Sequence, residues 1–317
     1  MLIQPNKHSR QGFTLIELSI VLVIIGLIIG GVLVGQDLIH AAGVRSQISQ
    51  IEKYNSAVNT FRGKYGYLPG DIPDPAAQQY GFQARGDGIQ GAGDGNGIIE
   101  GYDTSTGSNG TYESEGETAV FWVDLSQAGL IDGGFNTASE TNQQVSNITA
   151  STTPNIAAFF PEAKLGHENF VYVWSGGEGD AIPLGFPFDT MPPDGRNYFS
   201  ISHVDSIDVD DDGLIDYSNL TMTVQEAYAI DKKVDDGLPQ SGRVTAMLPM
   251  DGNAYWVTGG FFPGMNIYPP DWMGTVPYPA SSTSCFDNGN NHLLPVTYSM
   301  EQNNGAGENC GLSFLFQ

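Results

Sequence analysis

The chain has 317 residues, enough for one large or two modest domains, and its 40% hydrophobic content permits a sizeable core. With 36 acidic residues against 12 Lys and Arg, its formal charge of -24 repels phosphate backbones and disfavours nucleic-acid binding. The same surplus of carboxylates favours divalent cations.

Lys7, His8, Arg10 and Gln11 form a polar, basic lead-in to Gly12-Phe13-Thr14-Leu15-Ile16-Glu17. The apolar run continues to Val34, with Ser19 the only polar side chain between Leu18 and Val34, and approaches the roughly 20 residues that span a bilayer. Basic residues on the leader side orient that side to the cytoplasm and everything after Gln36 to the outside. A carboxylate such as Glu17 costs roughly 2.5 to 3.5 kcal/mol at the centre of a membrane helix, so it needs a partner. A cut after Gly12 would supply one, a free amine on Phe13. No small-x-small signal follows the apolar run, so cleavage is expected before it. In an open helical assembly each amine can meet the next subunit's carboxylate, a head-to-tail contact that does not close.

This hexapeptide resembles the processing site of type IV pilins and type II secretion pseudopilins, in which the prepilin peptidase cuts after the glycine and methylates the phenylalanine. The resemblance implies a leader over 1–12, with Gly12 and Phe13 as processing residues and Phe13 and Glu17 as assembly residues. It further implies partners of its own kind in a helical filament, other pilins, the pilus or secretion machinery, and the inner membrane before assembly. The filament would be a surface pilus or a periplasmic pseudopilus.

Helical character resumes in Asp37 to Tyr65, where Val44, Ile48, Ile51, Val58 and Phe61 recur at helical offsets, with Arg45, Gln47, Glu52 and Lys53 between them. Leu68-Pro69-Gly70-Asp71 ends this spine, so residues 13–66 are expected as a transmembrane and spine helix and 67–317 as an extracytoplasmic head. Gly63 to Asp71 also resembles the spine-to-head junction of pilin-like proteins. Within the head, Ser114-x-x-Glu117 and Thr223-x-x-Glu226 read as capping boxes opening helices that stop near Gly129 and Gly237. Candidate strands are Phe170 to Trp174, Tyr198 to His203, Arg243 to Leu248 and Tyr255 to Thr258. With 41 Gly and 18 Pro the strands should be short. The expected fold class is α+β, a long N-terminal helix packed on an antiparallel-sheet head with long Gly-rich loops.

Two acidic loops suggest structural Ca²⁺. Asp208, Asp210 and Asp212 alternate, Gly213 follows and Ile215 anchors, as in the first two thirds of an EF-hand loop; Asp216 holds position nine and Asn219 replaces the usual bidentate Glu. The twelfth ligand is then either missing or supplied from elsewhere, with Asp205 and Asp231 the residues considered. In the second loop Asp94 and Asn96 occupy positions three and five, Gly97 six, Ile99 eight and Asp103 twelve, but Ala92 stands at position one, where Asp87 is the substitute considered. These hard oxygen donors offer nothing soft for zinc or copper. Cys285 and Cys310 are expected as a disulfide in an oxidising compartment. His8, His40, His167, His203 and His292 show neither ligand spacing nor a Gly-x-Ser-x-Gly elbow, so an enzyme is not expected. A pilin-like structural subunit is the favoured function, with a pseudopilin or a membrane-anchored calcium-dependent adhesin as alternatives.

Overall fold

The computed structural model describes residues 14–85, 91–103, 108–110, 116–136, 148–149, 156–175, 182–184, 188–191, 195–204, 206–207, 215–216, 220–246, 248–250, 253–255, 284–289 and 295–316, several of the short strands as backbone only. The chain forms two compact units, Met1–Gly43 and Val44–Gln317, and the helix α1 (Leu15–Tyr65) contributes to both. Its N-terminal part is long and apolar enough to cross a membrane, and the large side chains from Leu15 to Ile39 are exposed along it.

From Val44 onward α1 turns amphipathic and packs on the head. Val44, Ile51, Val58 and Phe61 are buried, as their spacing predicts. Gln47 and Gln50 are buried too, which departs from the polar, outward role expected for Gln47. The reason is hydrogen bonding. Gln50 Oε1 accepts from Lys164 N at 2.9 Å and its Nε2 donates to the Glu162 carbonyl at 2.8 Å, while Gln47 Oε1 accepts from Leu165 N at 3.0 Å. The head segment Glu162–Leu165, paired to the sheet only through a bridge between Glu162 and Phe170, thus satisfies further backbone groups on the spine.

The central sheet has four antiparallel strands in the order Val244–Ala246, Leu312–Leu315, Asn197–His203 and Asn169–Ser175. Its two long strands are buried at every position, so both faces are covered. One face carries Val171, Val173, Phe199, Ile201, Leu312 and Phe314, set side by side by the register. Tyr54 of α1 and Phe121 and Trp122 of α3 (Gly116–Gln127) each bring a ring centroid to 6.1 Å from Phe199. The other face carries Tyr172, Trp174, Ser200, Ser202 and Ser313. Its polar atoms pair internally: Trp174 Nε1 donates to Ser313 Oγ at 2.8 Å, and the hydroxyls of Tyr172 and Ser202 lie 2.7 Å apart.

Helix α4 (Val224–Val234) opens on the expected capping box, with Thr223 Oγ1 accepting from Glu226 N at 3.1 Å and Glu226 Oε2 accepting from Thr223 N at 2.9 Å. A short helix, α2 (Ala76–Tyr80), follows the spine exit. Cys285 and Cys310 are joined by a disulfide, which ties the chain ahead of Phe286–Asp287 to the strand Glu308–Cys310. The chain is therefore α+β, a long N-terminal helix packed against antiparallel sheets. Because Trp122 is fully buried and meets Tyr54 edge-on at 4.9 Å, Trp122→Ala should cost about 3–5 kcal/mol in denaturant unfolding of the protein in detergent.

Candidate functional site

At the start of α1, Glu17 is held by its own turn. Thr14 N and Thr14 Oγ1 each donate to Glu17 Oε2 at 2.8 Å, and Glu17 N donates to Thr14 Oγ1 at 3.3 Å. This is a reciprocal cap that satisfies donors otherwise orphaned at a helix N-terminus. Glu17 Oε1 takes no part in these bonds. Thr14 was not singled out in the sequence, although a Thr three residues before a Glu at a helix start is a capping signal. Gly12 and Phe13 lie outside the described residues.

A second site lies where the spine enters the head. Asp71, Asp94 and Glu117 each place a carboxylate oxygen within 4.8 Å of the others, and Asp71 and Glu117 are buried. The loop from Gly91 to Glu100 wraps them. Gly95 N and Gly97 N donate to the two oxygens of Asp71 at 2.6 and 2.8 Å, and Gly93 N and Glu100 N donate to the two oxygens of Glu117 at 2.8 and 2.9 Å. Such inward turning of alternate N–H groups needs positive φ, and Gly93 and Gly97 supply it at 76° and 90°. Asn96 donates to Asp94 Oδ2 at 3.1 Å, and Asn197 anchors the loop to the sheet by accepting from Ile99 N and donating to the Gly97 carbonyl.

This arrangement answers the gap at Ala92. The first carboxylate comes from Asp71, which the sequence presents only as part of a turn ending the spine. Glu117, read as half of a capping box whose other half, Ser114, lies outside the described residues, turns both oxygens to the loop. Asp103 lies in a two-stranded ladder opposite Ser108, and its side chain lies outside the described residues. Asp87 also lies outside them.

Burial pushes the Asp71 carboxyl up to about 7 against the pull of the Gly97 and Gly95 amides, and burial followed by the charge of Asp71 raises Glu117 well above the usual carboxylate range. Arg85, the buried cation nearby, is committed to Asp124: its Nη2 lies 2.6 Å from both Asp124 oxygens, and Gly70 N donates to Asp124 Oδ2 at 2.7 Å. The carboxylates at Asp71, Asp94 and Glu117 therefore form an all-oxygen cluster that could hold a metal ion or protons.

A third acidic group, Asp231, Asp235 and Asp236, closes the C-terminal end of α4. Most of its oxygens accept hydrogen bonds from the turn that follows, from Arg243 and Val244, and from Tyr298. Asp231 accepts from Gly237 N at 3.1 Å and Tyr298 Oη at 2.8 Å, Asp235 from Arg243 N and Val244 N, and Asp236 from Leu238 N and Ser241 Oγ. Asp231, considered as a ligand for the 208–216 loop, makes these hydrogen bonds at the end of α4. Asp208, Asp210 and Asp212, with Asp205 and Asn219, lie outside the described residues. Asp216 sits in a short strand pairing with Ser206, with only its backbone described.

Residues 7–33 match the family described as the prokaryotic N-terminal methylation motif, which is typical of type IV pilins and type II pseudopilins. No curated protein and no solved structure matches the chain.

Two outcomes follow from these geometries. Thr14→Val, which removes the hydroxyl on both sides of the cap, should reduce incorporation into filaments severalfold, whereas Thr14→Ser should preserve it, as read by immunoblot of sheared surface material. Burial, opposed by the Tyr298 hydroxyl and the Gly237 amide and reinforced by Asp236 and Asp235, pushes Asp231 from 3.8 up to about 7. The fold therefore gains stability from holding this proton, fully below pH about 4, and loses it as pH rises through about 7. Asp231→Asn should flatten that part of the pH dependence of the melting temperature.

Proposed function

We propose that this protein is a filament subunit of the type IV pilus or type II secretion kind, released from its leader by a cut after Gly12 and assembled through the helix that begins at Phe13. The observation carrying this reading is the match over residues 7–33, continuous with a helix whose large apolar side chains from Leu15 to Val34 are exposed and whose charged exception in that span is Glu17. That stripe suits lipid before assembly and neighbouring spines afterwards, first in the inner membrane and then in a surface pilus or periplasmic pseudopilus. The free oxygen of Glu17 then faces the amine of an adjoining subunit. The chain works by assembly with copies of itself and other pilins, after the prepilin peptidase has acted.

Intact mass of the protein from sheared filaments tests the cut. Methylated Phe13 is expected as the first residue, and retention of Met1 on filaments would refute the reading. Glu17→Ala should leave the chain in the membrane and reduce filament incorporation at least tenfold. Normal incorporation with unchanged surface binding would favour a membrane-anchored adhesin instead.

We further propose that the head is stabilised by Ca²⁺ held by Asp71, Asp94 and Glu117, in place of the set Asp94, Asn96 and Asp103 suggested by spacing alone. Support comes from the all-oxygen donors, from the loop glycines that turn the backbone around them, and from the burial of acids without a free cation among the described side chains around them. An extracellular site needs only about millimolar affinity. Calcium returned to chelated protein should raise the melting temperature, by about 2–4 °C for each kcal/mol of linkage. Asp71→Asn with Glu117→Gln should abolish the calcium-induced shift; because each new amide nitrogen faces a backbone N–H, the metal-free variant should also melt lower than the metal-free wild type. An unchanged melt would sink the calcium reading and leave the filament reading intact.

A further inference from the structure

Beyond these carboxylates lies a small cavity lined by Gly70, Arg85, Ala92, Gly93, Glu117 and Val120. Arg85 is only 5% exposed, and its guanidinium spends Nη2 alone on Asp124. Its Nε and Nη1 have no hydrogen-bond partner among the described residues. Buried guanidinium donors left in this state are strongly disfavoured. Each oxygen of Glu117, across the same cavity, takes one backbone N–H and retains a second lone pair.

We propose that an ordered water is a constitutive part of the head, seated in this cavity and bridging Arg85 to Glu117. Water alone fits both walls. It accepts from the guanidinium and donates to the carboxylate, whereas an anion would face Glu117 and a cation would face Arg85. The space open to a water centre is about 10 Å³, enough for one water. Glycine is needed for the close packing of its walls: a Cβ on Gly70 would stand 2.4 Å from the Glu117 carbonyl oxygen, and one on Gly93 would stand 2.7 Å from the Ile72 carbonyl oxygen and 2.9 Å from Arg85 Cγ. This water joins the Arg85–Asp124 pair to the carboxylate loop in one network, whatever occupies the other side of Glu117.

The test is a high-resolution crystal structure of the full-length protein in detergent. Spherical density within hydrogen-bond reach of Arg85 Nε or Nη1 and of Glu117 is expected. An empty cavity, a protein group in it, or density refining as chloride or a metal ion would overturn the proposal. Oxygen-17 relaxation dispersion gives a second readout: the wild type should show a long-lived internal water that is lost in Val120→Ile. Persistence of the same signal in a variant whose crystal structure places the added methyl in the cavity would overturn the assignment.

Discussion

The head depends on two carboxylates, Asp71 and Glu117, that take four backbone N–H groups of the loop from Gly93 to Glu100. That segment has no ladder of its own, and buried amides must be paired somewhere. Asp71 comes from the exit of the spine and Glu117 from the first turn of α3, so a single loop fastens both, and through Asn197 it also fastens the central sheet. The cost is negative charge in a poorly solvated place. A proton or a cation offsets it, and the raised carboxyls of Asp71 and Glu117 record that tension.

The turn after α4 solves a similar packing problem differently. Asp231, Asp235 and Asp236 spend their oxygens on amides and hydroxyls of the same turn and of Tyr298, and Lys232 and Lys233 stand in the last turn of the helix. Positive side chains there complement the helix dipole. Equal numbers of acids thus give a self-contained turn at one place and, at the other, a cluster that gathers three remote pieces of chain.

Features written in local pattern were legible in the sequence. The methylation motif, the helical period from Val44 to Phe61, the Thr223–Glu226 cap and the buried cores of the two long strands each depend on neighbours within a few residues. What escaped depends on partners far along the chain. Gln47 and Gln50 look like surface residues because their partners at 162–165 are more than 100 positions away. Asp71 reads as punctuation after Pro69-Gly70, and Glu117 as a helix cap, because both are good local explanations. The spacing rule for a calcium loop correctly drew attention to Asp94 and Asn96, but it presumes consecutive ligands, whereas this loop takes its first carboxylate from more than twenty residues upstream.

The grip of the head on α1 has a mechanical meaning. Gln47, Gln50 and Lys53 contact the head on successive turns, through the 162–165 segment and Asp132, and Phe61 is buried a few turns on. Tension along the helix would load these contacts in shear, side by side, before it reached the single covalent exit at Tyr65. A shear joint shares force among its bonds, whereas a peeling joint breaks them one at a time. The buried glutamines are therefore rivets as well as hydrogen-bonding partners, and the head can be pulled through its spine without being unzipped from it.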